Sequence, residues 1–400
     1  MVAPTVGRLP HICNNYKMTT KDRFHHFNSG RVNFFLLALI TTFLFAAVLH
    51  LTSSVVVPFT VSLLLALVTS PLVKFLERFR IPRIVSIFLV LFFLIGGLSF
   101  LVMVLYSSGR TLLTLYPRYE ARITEIYIWI ARLFELPYDE HLSIIQNIWG
   151  QVGIRSRVRV MTLSFSNAFL IFLKDAFLVS LFMVFLLLEA VFFKQKLDRA
   201  FEGPRAVQIK KISSSVMQEV TRYLSIKFII SLVTGVVVGF GLRIIGVEFA
   251  VVWGIIQFIL NFIPNVGSIA VGVAASLFSL IQFWPVPGPI VATGLVMLGA
   301  NMIIGSILEP KIMGDNLGLS PLVVLISLLA FGWLWGFAGL ILAVPMMVII
   351  KIVCENIPML EQIFILMGSH KAVMAAKSKE EADRAAEKSE EKETPGAEVV

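Results

Sequence analysis

Three ionisable residues, Glu309, Lys311 and Asp315, stand between two long runs that carry no Lys, Arg, Asp or Glu, Phe249–Leu308 and Asn316–Ile350. A carboxylate in such a setting can exchange a proton or a monovalent cation, and a lysine beside it can hold a polar solute. An ionised side chain at the centre of a bilayer costs about 2.5–3.5 kcal/mol on insertion scales, so inside a helix bundle it marks a transport site by default. In an ordinary interfacial loop the cost disappears, and the signal with it. Pro310 follows Glu309 and should stop the helix there.

A second group lies upstream, in the string Asn261-Phe262-Ile263-Pro264-Asn265-Val266-Gly267. Non-helical backbone at membrane depth is tolerated only where it is buried in protein or lines a watery cavity. Carbonyls and helix ends freed by the break from Pro264 to Gly267, with the amides of Asn261 and Asn265, could then present donors and acceptors to a polar solute. The competing reading is a packed kink whose amides satisfy the broken backbone. The transport-path candidates are therefore Asn261, Pro264, Asn265, Gly267, Glu309, Pro310, Lys311 and Asp315. Two further charged pairs are ambiguous. Arg243, near Glu248, sits at a span end and should snorkel to water; Lys174 adjoins Asp175.

Other chemistries find no support. There is no G-x-x-x-x-G-K-[ST], no H-E-x-x-H and no G-x-S-x-G. The six histidines are scattered, and Cys13 and Cys354 lie near opposite ends. The chain reads as a non-enzyme, without cofactor, metal site or nucleic-acid partner.

The surrounding elements explain why charge is so informative here. Of 400 residues, 57% are hydrophobic and 15% charged, with a net charge of +9 and a mean hydropathy of +0.87. Soluble domains usually carry about 45–50% apolar and about 25% charged residues. Further charge-free runs cover Val32–Val73 and Ile84–Gly109. About 20 helical residues cross a bilayer core, and these runs lack the alternation of a barrel strand. The fold expected is an all-α, polytopic helical membrane protein with about six to eight spans.

The layout follows from charge and pattern. A cytoplasmic leader (1–31) precedes three spans (32–109). An external insert (110–162) carries two amphipathic stripes, Ile123–Phe134 and Leu142–Val152. A fourth span (163–193), a cytoplasmic amphipathic linker lying in the interface (194–226), a membrane core (227–357) and a charged tail (358–400) complete the chain. Basic clusters in the leader, after the second span and at Lys194–Lys211 place the N-terminus inside. The C-terminal core reads as a span plus a short-armed hairpin, twice over, with the turn Trp284–Pro289 between the two units, breaks at 263–267 and 332–336, and the polar stretch Glu309–Gly318 between the span and the hairpin of the second unit. Such a pattern suggests inverted repeats with re-entrant segments, the first hairpin entering from outside and the second from inside. Gly235 and Gly239 form a small-x-x-x-small face for close helix packing.

At these residues the chain resembles the autoinducer-2 exporter (AI-2E) family. The resemblance rests on Asn261–Gly267, Leu308–Asp315, Leu317–Leu325 and Trp333–Pro345 with Lys351 beyond, and is strongest over Gly203–Ile357. It implies a bacterial inner-membrane permease in the lipid bilayer, with another copy of the chain as a partner in a homo-oligomer; the C-terminus is expected to be cytoplasmic from the layout of the spans, as the N-terminus is from charge. Some members export a small polar signalling molecule; others are sodium/proton antiporters. Three functions follow as expectations. The first is a secondary transporter exporting a small polar solute, the second a monovalent cation/proton antiporter, and the third a membrane scaffold.

Overall fold

A computed structural model describes residues 29–134, 154–200, 204–264, 266–313, 318–357 and 360–368. Asn265, Asp315 and the Leu142–Val152 stripe lie outside the described residues. The described residues are helical apart from turns and one isolated bridge. The chain divides into two units at Thr52. The first contributes helix α1, Ser29–Leu51.

The second unit begins with α2 (Ser53–Arg78), α3 (Arg83–Leu133) and α4 (Ile154–Ala200). Ala66, Val73, Ile87, Val90, Met183 and Leu187 bind these three together. Arg83 ties the end of α2 to α4, its guanidinium donating to Glu77 at 3.1 Å and to the Leu187 carbonyl at 2.7 Å. Helix α3 has 51 residues, so at about 1.5 Å each it is far longer than a crossing needs. Its distal half, assigned to a separate amphipathic helix in the insert, is the uninterrupted continuation of the third span.

Helix α5 (Pro204–Ile245) is similarly continuous. The stripe Ile209–Tyr223, expected to lie in the interface, is its first half, and Val220, Tyr223 and Leu224 are buried in a core cluster. The stripe faces protein rather than lipid headgroups because α2 and the C-terminal helices pack against it.

Two hairpins follow. Helix α6 (Ala250–Leu260) has 11 residues, about 16 Å, half of a hydrocarbon core. The chain then reverses into α7 (Val266–Phe283). The reversal is tight: a Cβ on Gly267 would sit 1.8 Å from the Leu260 carbonyl oxygen. Helix α8 (Pro287–Ala300) runs through a π-helical segment, Asn301–Leu308, into α9 (Glu309–Met313). The second hairpin is built from Pro321–Asn356 (α10), which is not one straight helix. Trp335 and Gly336 leave helical geometry, Gly336 at φ 60°, and a Cβ on Gly339 would lie 1.8 Å from the Phe331 carbonyl. Residues eight apart in a straight helix are about 12 Å apart, so the chain folds back at this point. Helix α11 (Glu361–Met367) returns to the hairpin's base, where the Ser320 N–H donates to the Met367 carbonyl at 2.9 Å.

Among the described residues seven helices are long and apolar enough to cross a membrane, and Pro321–Asn356, although folded back at Trp335–Gly336, is one of them by its length and composition. This is a polytopic all-α membrane protein. The expected breaks at 263–267 and 332–336 are present. The one at Pro310 is not: helix continues through Glu309–Met313. A proline cannot donate to the carbonyl four residues back, and its ring clashes with it. Widening the preceding turns to π geometry, in which the Glu309 N–H bonds the Ile304 carbonyl, accommodates the ring without stopping the helix.

Candidate functional site

One face of α5 carries Tyr223, Lys227, Ser231 and Thr234, spaced as successive turns of a single stripe and all buried. Polar side chains rarely line a helix interior to a membrane bundle without partners, and here the partners come from the hairpin and π elements.

The Lys227 ammonium donates to Glu309 Oε1 at 2.5 Å, with side-chain exposures of 3% and 20%. The π segment positions the carboxylate. Each residue it inserts turns the helix beyond it by about 100° around the axis, which brings Glu309 toward α5. Burying two charges is costly unless they are paired, and removing either one strands the other. Tyr223, one turn earlier, lies within electrostatic reach of Glu309.

One turn beyond Lys227, Ser231 Oγ accepts from Asn261 Nδ2 at 3.0 Å. Asn261 Oδ1 in turn accepts from Ser268 Oγ at 2.7 Å, and Ser268 Oγ accepts from Gln257 Nε2 at 3.0 Å. The network thus joins α5 to both arms of the first hairpin. Glycines allow the approach: a Cβ on Gly235 would stand 2.7 Å from the Gly254 carbonyl, and one on Gly254 would stand 3.1 Å from the Gly239 Cα. Only bare backbone lets α5 and α6 come this close.

The turn of the first hairpin packs against the arms of the second. Ile263, beside the first turn, shares an apolar cluster with Leu328 and Ala343 of the second, with Leu260, Phe331 and Leu340 packed around it. The sequence paired Pro264 with Pro310. The structure brings the Pro264 turn against the 335–336 hairpin, while Pro310 is exposed and Glu309 reaches the site through Lys227. Lys311 is also exposed. Asn261 and Glu309 both reach one stripe of α5, and Pro264 and Gly267 shape the turn. Gly235 and Gly239 occupy the α5–α6 contact.

Lys227, Ser231, Ser268 and Gln257 escaped the sequence reading. A signal was present: polar residues at 223, 227, 231 and 234 in an otherwise apolar stretch share a face, but the stretch was divided at 226–227 between a linker and a span.

A second polar cluster lies at the far end of α5. Arg118 and Tyr119 of α3 both donate to the Glu248 carboxylate, Arg118 at 3.2 Å. Gln282 bridges the Glu248 N–H and the Gly246 carbonyl at 2.8 and 2.9 Å. Arg243 is exposed and lines an open cavity of about 570 Å³ with Ser107, Ser108 and Thr111. Lys174 and Asp175 form an exposed pair at 3.1 Å. No group of three or more potential His, Cys, Asp or Glu metal ligands occurs among the described residues.

The sequence is similar to several bacterial transport proteins. A Haemophilus influenzae protein described as a transport protein is 33% identical, over 83% of this chain and 95% of that one. The AI-2 transport protein TqsA of Escherichia coli is 30% identical over 79% and 90%. A sodium-lithium/proton antiporter of Halobacillus andaensis is 29% identical over 78% and 92%. With the apolar helices in place, residues 34–359 match the model of the AI-2E family transporters, and the chain belongs to this family of membrane transporters.

Proposed function

We propose that this membrane transporter moves a small polar solute along the stripe of α5, between the two hairpin turns, by secondary transport in the export direction. The observation that carries the reading is the buried polar stripe Lys227–Ser231–Thr234, which links a charged pair to an amide network where two broken hairpins meet. Discontinuous helices at the middle of a bundle are where secondary transporters bind substrate. The likeness to the Escherichia coli AI-2 transport protein supports a small polar solute. The basic clusters support cytoplasmic termini.

A second reading is cation/proton antiport. The buried Lys227–Glu309 pair favours it, as does the likeness to the Halobacillus andaensis antiporter. Purified protein in proteoliposomes distinguishes the two. Solute flux without a cation requirement supports the first, and dye-reported proton movement driven by sodium or lithium supports the second. No flux of any kind above protein-free liposomes, or full flux in Lys227→Met, removes the site from transport.

A further inference from the structure

Two buried side-chain atoms on α6 have no hydrogen-bond partner: the indole Nε1 of Trp253, a donor, and Oε1 of Gln257, an acceptor. They are four residues apart, so their side chains stand one above the other on the same helix face. Both face α7. Trp253 packs on Phe278 with ring centroids 5.7 Å apart, and the Gln257 amide donates to Ser268. Gln257 is 2% exposed. A lone donor and a lone acceptor on one buried seam are each costly unless something satisfies them. The chain already satisfies the other polar groups of this network from within. A hydroxyl is the group that complements both, because its oxygen accepts while its proton is donated.

We propose that Trp253 and Gln257 form a solute subsite that binds a hydroxyl group of an uncharged solute, accepting its proton at Gln257 Oε1 and donating to its oxygen from Trp253 Nε1. The subsite deepens the transport reading above and rests on it for its role. Two features select against charge in the solute. Gln257, Ser268, Asn261 and Ser231 are all neutral, and the buried charges on the neighbouring turn, Lys227 and Glu309, neutralise each other. An anionic or cationic solute would bring a charge that nothing at this seam compensates.

The probes are ribitol, an uncharged polyol, and ribonate, which has the same carbon skeleton with a carboxylate. Thermal unfolding of the full-length protein in detergent, with and without each probe, is measured beside uptake of radiolabelled ribitol into proteoliposomes. Two variants are used: Trp253→Phe deletes the N–H with part of the ring that packs on Phe278, and Gln257→Met keeps the length of the side chain but removes both the acceptor and the Nε2 donor to Ser268. The expected result is a ribitol-dependent rise in Tm that ribonate does not give. Both variants should unfold within a few degrees of the parent and lose that rise, with KM for ribitol raised at least tenfold. A fall of many degrees in both variants with the ribitol shift intact makes the pair structural and overturns the proposal. Equal shifts with ribonate overturn the uncharged class. An absent shift in the parent protein overturns the subsite, which a bridging water then explains. Ribitol uptake unaltered in both variants overturns the subsite and leaves transport standing, whereas a variant-sensitive shift without any uptake leaves the subsite standing and removes transport.

Discussion

At the scale of single residues, the chemistry concentrates on a lysine that composition gave no reason to single out. Lys227 is one of 34 basic residues, yet its side chain is 3% exposed and its ammonium meets Glu309. Breaking a buried pair from one side leaves an uncompensated charge, worth about 3–5 kcal/mol, whereas replacing both partners with neutral residues is often close to neutral. Lys227→Met and Glu309→Gln should each lower thermal stability markedly, and the double variant should recover most of the loss. Unfolding of all four proteins in detergent gives the coupling energy. Additive losses would mean that the two charges do not depend on each other. Glu309 was visible in the sequence because it ends a charge-free run. Its partner was not, because pairing across 82 positions is a property of packing and leaves no local mark.

At the scale of elements, the hairpins were legible and the π segment was not. Proline, glycine and arms of limited length marked the turns at 263–267 and 332–336, since those residue types disrupt helices wherever they fall. Pro310 carried the same mark, but the turns before it widened instead of breaking. That choice depends on what the bundle gains from a continuous helix, here the placement of Glu309 beside α5. Pro310→Ala removes the need for the wide turns. The segment should relax toward α geometry, folded yield should hold, and the Lys227–Glu309 coupling energy should fall by at least half in the same double-variant measurement. An unchanged coupling energy would show that packing alone maintains the π geometry. The first hairpin is less forgiving. Its turn leaves no room for a methyl group at Gly267, which would overlap the Leu260 carbonyl oxygen. Gly267→Ala should cost about 3 kcal/mol or more and reduce the monodisperse fraction in gel filtration; a wild-type elution profile and Tm would refute this.

At the scale of the whole molecule, the fold class was readable from charge-free runs, because about 20 apolar residues have few other uses in a chain this poor in charge. The meeting of the two hairpins was only half readable. Their repetition suggested that they belong together, but the residues that seal them, Ile263, Leu328 and Ala343, look like any other apolar residues until the fold places them. This seal has a consequence for mechanism. It is apolar and buried, and the polar stripe of α5 lies beside it, so a solute reaching that stripe from both sides of the membrane requires the hairpins to part on one side at a time. Cysteines replacing Ile263 and Leu328, in a chain whose Cys13 and Cys354 are changed to alanine, place one thiol on each hairpin. A short bifunctional maleimide should join them and abolish flux, while the same protein treated with a monofunctional maleimide of similar size keeps at least half of its flux. The Tm of the joined protein should rise, because the link restrains the unfolded chain. Full flux after complete joining would mean that the hairpins move as one body, and the path would then have to run outside the seam between them.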